Sequence, residues 1–335
     1  MSLVELDRVS VHFSRGQRRT RSDTVHALDD VTLTINPGEV LGIVGESGCG
    51  KTTLGRVIVG LERPTSGEVV VRGVKRSRNQ RPGANARNDG FQMVYQDAAG
   101  SLNPWKRIGW SIGEPLQNEG LGKTERRRRV TELLDQVGLP GQMIDRYPGE
   151  LSGGQQQRAA IARALASKPR LIVLDEAVSS LDMSTQAQVL NLLKDLADQH
   201  PVNYVFISHD IAAVDFMSDR VAVMYLGKIV ELQNSAKGTA PLLHPYSITL
   251  RSAVPVPDPV VERGRSRIVL TGPVASASDL PSGCRFHTRC PIAQPVCSEE
   301  EPVLTEHQLD TSVACHFAGE FEHLYRRSSN SKTQP

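Results

Sequence analysis

Apolar and polar positions alternate over residues 3 to 13 and 30 to 36, whereas Val40 to Val44 is apolar throughout and runs straight into a glycine-rich stretch. Alternation at a period of two predicts half-buried strands, and an unbroken apolar run predicts a strand covered on both faces. Further strands are predicted at Glu68 to Val71, Phe91 to Tyr95, Leu171 to Leu174, Tyr204 to Ile207, Val221 to Tyr225 and Ile229 to Leu232. Helical spacing such as that of Gln186 to Asp198 separates several of them, which predicts an α/β fold: a mostly parallel sheet flanked by helices, with an antiparallel part at the N-terminus. Between about residues 98 and 165 the strand pattern stops, and Glu125 to Gln136 and Gln155 to Ala166 are spaced as helices, so a helical subdomain is expected inside the α/β core. After about residue 234 the prolines Pro241, Pro245, Pro255, Pro257, Pro259, Pro273 and Pro281 exclude regular helix. Residues 1–234 are therefore expected to form one domain, 235–325 a separate C-terminal module, and 326–335 a disordered tail.

A chain of 335 residues, 39% of them hydrophobic, can bury a core, and a net charge of +2 creates no field that would favour nucleic acid. The basic clusters Arg15 to Arg21, Lys75 to Arg81 and Arg126 to Arg129 are scattered and read as solvated faces, with local contact to anionic lipid as the alternative. The first residues lack a basic region followed by an apolar one, and no stretch approaches the ~18 apolar residues of a membrane span. The chain is expected in the cytosol, touching a membrane only through partners. Of five cysteines, four crowd the last sixth of the chain, a pattern that in a reducing compartment points to metal before disulfides.

Three motifs carry chemistry. Gly45-Glu46-Ser47-Gly48-Cys49-Gly50-Lys51-Thr52 fits G-x-x-x-x-G-K-[ST] between a predicted strand and a predicted helix. Glycines admit phosphate oxygens to backbone N–H groups, Lys51 bridges the terminal phosphates, Thr52 gives an oxygen to Mg²⁺, and Thr53 is counted with the loop among the nucleotide-binding residues. Cys49 serves only as a small residue within the loop. Leu171 to Glu176 ends a buried strand in two carboxylates, whose burial a cation would explain; Asp175 is expected in the Mg²⁺ shell and Glu176 as general base on the attacking water. Ser152-Gly153-Gly154-Gln155 opens a helix, with Ser152 as cap and the glycines leaving N–H groups for a phosphate.

In this order the motifs resemble the nucleotide-binding subunits of ABC transporters over about residues 3 to 232. The resemblance implies a P-loop NTPase (RecA-like) core, ATP and Mg²⁺ as ligands, and ATP trapped between two such subunits, with Ser152 to Gln155 of one capping the nucleotide of the other. It further implies that Gln96 senses Mg²⁺ and couples to the permease, that His209 contacts the γ-phosphate, and that the loop ending in Asp182 communicates across the dimer. Without the family, Gln96 and His209 are polar residues after strands. Phe13 is the nearest match to an adenine-stacking aromatic, with a core role as the alternative.

Gln96 to Pro104, His244-Pro245-Tyr246 and Ser252 to Pro255 narrow the resemblance to the oligopeptide, dipeptide and nickel importers, and within that group Gly45 to Gly50 and Ser101 to Pro104 resemble most the second of the two ATPase subunits. That implies a second homologous ATPase, two permease subunits, an extracytoplasmic solute-binding protein and a place on the cytoplasmic face of the membrane. Ala177 replaces a proline common in relatives, a change expected to be harmless. Cys284-x5-Cys290-x6-Cys297, then Cys315 after 17 residues, supplies four thiolates. Paired C-x2-C knuckles typical of zinc ribbons are absent, and Pro291 after Cys290 resembles ferredoxin ligation, so a 4Fe-4S cluster leads over zinc and over free buried thiols. His287 and His316 lie close enough in sequence to be alternative ligands, but surface or core histidines are the more ordinary reading. The rival functions are a soluble ABC ATPase of DNA repair or translation, against which stand the single cassette and the roughly 100 residues between loop and signature, and an iron-sulfur redox protein with an ATPase appendage.

Overall fold

A computed structural model describes residues 1–14, 24–77, 82–118, 120–233, 242–255, 258, 262–263, 268–270, 272, 275–307 and 311–321. The expected tail at 326–335, the basic run Arg15 to Arg21, and Pro241, Pro257, Pro259 and Pro273 lie outside these residues. The described residues form two sheets. The smaller has the order β2 (Thr24–Ile35), β1 (Val4–Ser14), β4 (Ser66–Val71), β5 (Val74–Lys75), all antiparallel. The larger runs β11 (Thr305–His307), β12 (Thr311–Val313), β10 (Lys228–Gln233), β9 (Arg220–Tyr225), β3 (Val40–Val44), β8 (Asn203–Ser208), β7 (Leu171–Asp175), β6 (Phe91–Val94). From β9 to β6 every pairing is parallel.

Parallel strands covered on both faces read as near-continuous apolar runs, and β3, β7 and β8 follow this apart from Asn203 at the start of β8 and Asp175 and Ser208 at the strand ends, all three buried. Ile172, Leu174, Tyr204 and Phe206 enter one hydrophobic core, while their neighbours Leu171, Val173, Val205 and Ile207 enter the other. The second core lies against the antiparallel sheet and α1 (Lys51–Val59); the first takes in the helical region. That region comprises α3 (Ala98–Ser101), α4 (Ile108–Asn118), α5 (Lys123–Gln136) and α6 (Gly153–Ala166), with Ile112, Leu116, Val130, Leu133 and Leu134 packed together at its centre. The remaining helices are α2 (Ala84–Asp89), α7 (Met183–Gln199), α8 (Ile211–Met217), α9 (Pro245–Ser252) and α10 (Pro295–Glu299).

Two expectations need adjusting. β2 begins at Thr24 rather than near residue 30, because register shifts in its pairing with β1 and a left-handed Asp30 (φ 55°) break the alternation that marks a strand. The region after residue 234 is not detached from the core either. β12 pairs antiparallel with β10 and extends the main sheet, and Phe286 and Tyr246 are buried in the same core as β7 and β8.

Candidate functional site

Because β3, β7, β8 and β6 run parallel, the segments that follow them emerge at one edge, where ligands of open α/β sheets bind. The phosphate loop follows β3 and leads into α1. Gly50 caps that helix at φ 106°, a conformation open to glycine, and an added Cβ there would lie 2.2 Å from the Ala27 carbonyl oxygen. A Cβ at Gly45 would meet the Met224 carbonyl oxygen at 2.3 Å, so β9 and β2 press the loop from both sides. Ser47 and Gly48 face solvent, Thr53 lies half-buried in the first turn of α1, and Cys49 packs into the core, where burial raises its thiol pKa. The Lys51 ammonium is buried and donates to the Gly45 and Glu46 carbonyl oxygens at 2.8 and 3.0 Å.

Opposite the loop, the Thr52 hydroxyl donates to Asp175 Oδ1 at 3.0 Å, joining the start of α1 to the end of β7. Burial pushes the Asp175 carboxyl pKa up, opposed by the Thr52 hydrogen bond. A bound cation offsets such a cost, and a hydroxyl beside a carboxylate is a donor set that suits Mg²⁺. Glu176 follows at φ 52°, an uncommon left-handed backbone for a non-glycine residue, with its N–H bonded to the Ile207 carbonyl at 2.9 Å. Its carboxylate, 14% exposed, accepts from His209 Nδ1 at 2.8 Å, and His209 is 62% exposed. Ala177, the next residue, is buried. Gln96 lies exposed just past β6.

Ser152 caps α6: its hydroxyl accepts from the Gln155 N–H, and Gln155 Oε1 accepts from the Ser152 N–H at 3.0 Å, a reciprocal capping box. Gly153 is exposed, whereas Gly154 is buried so tightly that a Cβ would stand 2.3 Å from Thr185 Cγ2; its glycine serves packing against α7. Asp182 caps α7, with one oxygen accepting from the Ser184 and Thr185 N–H groups at 3.1 and 3.0 Å and the other from the Thr185 hydroxyl. The Ser184 and Thr185 bonds hold its carboxyl well below the usual range, so within this chain it works as a helix cap. Phe13 pairs with Val25 across β1 and β2 and is 41% exposed, which removes the core alternative.

In the C-terminal region all four cysteines are free, and they influence one another: burial, and after it the neighbouring thiols, push Cys315 up to about 12 against a backbone bond at Phe317, and burial pushes Cys290 up to about 11. Among the described residues no three His, Cys, Asp or Glu side chains are grouped closely enough to hold one metal ion. One ring nitrogen of each of His287 and His316 donates to a backbone carbonyl, that of Cys284 at 2.8 Å and that of Glu300 at 3.0 Å.

Two residues that sequence reasoning did not place in the site touch it. Tyr246 Oη accepts from the Glu46 N–H at 2.8 Å, and Arg289 Nη1 donates to both Glu46 carboxylate oxygens at 2.9 and 3.1 Å. Glu46 is thus held by the C-terminal region. His244-Pro245-Tyr246 was visible as a motif, but nothing local to it or to Arg289 pointed at the phosphate loop.

Comparison with known proteins agrees with this geometry. Residues 28–179 match the family described as ABC transporter, and residues 230–297 match that described as oligopeptide/dipeptide transporter, C-terminal region. The putative oligopeptide transport ATP-binding protein YkfD of Bacillus subtilis (strain 168) is 45% identical over 334 residues, covering 99% of this chain and 98% of that protein. The oligopeptide transport ATP-binding protein OppF of Escherichia coli (strain K12) is 45% identical over 320 residues, covering 93% and 95%. Among solved structures, the dimeric post-hydrolysis state of the ATP-binding cassette MJ0796 bound to ADP and Pi matches with a TM-score of 0.62 and 30% identity over 70% of this chain and 99% of that one.

Proposed function

This chain belongs to the ATP-binding proteins of the oligopeptide ABC transporters, and from that membership we propose how its residues hydrolyse ATP to drive peptide import. The loop from Gly45 to Thr53 holds the phosphates, with Lys51 leaving the loop carbonyls for the terminal phosphate oxygens. Thr52, Asp175 and Gln96 would hold Mg²⁺, which would neutralise charge on the phosphates, and Phe13 offers its exposed ring to adenine. Glu176 takes the proton of the attacking water while His209 orients the carboxylate and meets the γ-phosphate. The observation that carries this reading is the 3.0 Å bond from Thr52 to Asp175 with the Glu176–His209 pair beside it: four polar side chains from three segments converge where a magnesium triphosphate fits.

Ser152 to Gln155 and Asp182 act on the nucleotide of a second, homologous ATPase subunit. Support comes from the solvent-facing, reciprocally capped start of α6 and from the exposed Asp182 turn. The chain works on the cytoplasmic face of the membrane, and two transmembrane permease subunits and an extracytoplasmic solute-binding protein complete the machine. Among the described residues no helix is long and apolar enough to cross it. Trp105, 85% exposed, and Trp110 border a cavity of about 460 Å³ on the helical region, a surface suited to an apolar permease segment. In vesicles holding the chain with its membrane partners, MgATP on the chain's side should drive peptide uptake. Uptake that proceeds without ATP, or a chain that copurifies with no permease and hydrolyses ATP alone at full rate, would overturn the reading in favour of a soluble ATPase.

The four cysteines bind a 4Fe-4S cluster as a structural clip for the extension. The support is in the sequence: four thiols, the Cys290-Pro291 pair that resembles ferredoxin ligation, and no paired C-x2-C knuckles of the kind zinc ribbons use. Iron and sulfide analysis of anaerobically purified protein tests this; zinc, or no metal, would refute it.

A further inference from the structure

The phosphate loop carries a grip that its own motif does not explain. Glu46 is held at both ends by the C-terminal extension, its N–H by the Tyr246 hydroxyl and its carboxylate by Arg289. The same residue's carbonyl receives the Lys51 ammonium at 3.0 Å. Whatever fixes Glu46 therefore also fixes the resting place of the lysine that must reach the phosphates. Resting on the MgATP reading above, we propose that Arg289 and Tyr246 are positioning residues of the reaction, holding the phosphate loop through Glu46 in the shape that accepts the triphosphate.

The grip is built rather than incidental. The Arg289 side chain is 8% exposed and that of Glu46 25%, so the pair is shielded from salt and water and its bonds are charge-assisted. Arg289 also approaches Tyr225 Oη at 3.4 Å, which ties it to the end of β9. Tyr246 is fully buried, its ring 4.7 Å from that of Tyr225 and 5.4 Å from that of Phe286. Its backbone N–H donates to His244 Nδ1 at 3.0 Å, and complete burial keeps His244 neutral, with its pKa lowered to about 3, so that the nitrogen can accept. An arginine and a tyrosine so confined cannot follow Glu46 about; Glu46 must follow them.

The arrangement also reaches into the cysteine region. Arg289 ends a short 3₁₀ turn, His287–Arg289, whose first N–H bonds the Cys284 carbonyl at 3.0 Å and whose successor is Cys290. The backbone between two of the four cysteines thus determines where the guanidinium lies. The extension accordingly acts on nucleotide affinity without touching nucleotide.

The test uses the full chain assembled with its transporter partners and measures the MgATP dissociation constant, KM, kcat and melting midpoint. Arg289→Ala should raise Kd and KM about tenfold, equivalent to about 1.4 kcal/mol, while kcat at saturating MgATP changes less than about twofold. Arg289→Lys, which keeps the charge but loses the fork, should recover part of the shift. Glu46→Gln should match Arg289→Ala, and the double variant should be no worse than either single one, because both remove the same link. Tyr246→Phe loses one hydroxyl in a packed ring site and gives a folded probe should Arg289→Ala not assemble; it too should weaken nucleotide binding. A lowered melting midpoint with unchanged Kd and KM, or full additivity of the double variant, would overturn the proposal and leave Arg289 as a mere anchor of the extension. Wild-type protein that fails to bind MgATP would instead sink the ATPase reading on which it rests.

Discussion

Replacing Glu176 by glutamine isolates one proton. The side chain keeps its size and still accepts from His209 Nδ1, now through an amide oxygen, and the backbone at φ 52° suits Gln as it does Glu because neither is β-branched. The net worth of that one bond is about 1 kcal/mol, so the melting midpoint should move by a few degrees at most. Nothing in the phosphate loop touches Glu176: Lys51 bonds the loop itself and Thr52 bonds Asp175. Nucleotide affinity should therefore stay within about twofold of wild type, a difference of about 0.4 kcal/mol. What is lost is proton acceptance from water, which contributes typically 10²- to 10⁴-fold, or roughly 3 to 5.5 kcal/mol of barrier. Single-turnover phosphate release from preformed complex, beside equilibrium MgATP binding, measures the two terms separately. Turnover retained above about a tenth of wild type is less than 1.4 kcal/mol of effect and would remove Glu176 from its role as base; lost binding would show that the side chain supports the loop instead.

Gly50→Ala places a methyl against the Ala27 carbonyl in a left-handed backbone; nucleotide binding should weaken by at least about 2 kcal/mol, of which roughly 1–3 kcal/mol is backbone strain alone, read by equilibrium binding of MgATP. Arg76 is nearly buried, donates to the Val57 and Ile58 carbonyls at the end of α1 at 2.8 and 2.7 Å, and pairs with Asp89 at 2.8 Å. Arg76→Met leaves these acceptors bare and should cost about 3 kcal/mol or more, visible in denaturant unfolding, with Asp89→Asn in the same chain recovering part. Glu231 is wholly buried, and desolvation holds its carboxyl above the usual range against the Leu243 and His244 N–H bonds. The folded state then binds its proton more tightly than the unfolded one, so its term costs stability as pH rises from the ordinary carboxylate range through the raised value. The difference between wild-type and Glu231→Gln melting midpoints should change across that window and be flat below it; a flat difference throughout would refute the assignment.

Much of the catalytic edge was readable in the chain because its signals are local. A strand that is apolar at every position, a glycine loop and a helix start follow one another within Val40 to Thr53, and Ser152 and Gln155 cap the same helix three residues apart. Periodicity and capping act over three or four residues, so they survive without knowledge of the fold. The helical region from 98 to 165 was legible for the same reason. β2 was half hidden because its bulges break the period of two, and the strands β11 and β12 were invisible because three residues carry no periodicity; β12 forms by joining β10, and β11 by joining β12. Tertiary structure alone decided which of these pieces meet. Thr52 finds Asp175 across 123 positions, Glu46 finds Tyr246 across 200 and Arg289 across 243. A sequence pattern tells which side chains leave water, but what they pack against depends on sheet order and on the shape of two cores that many distant residues fill jointly.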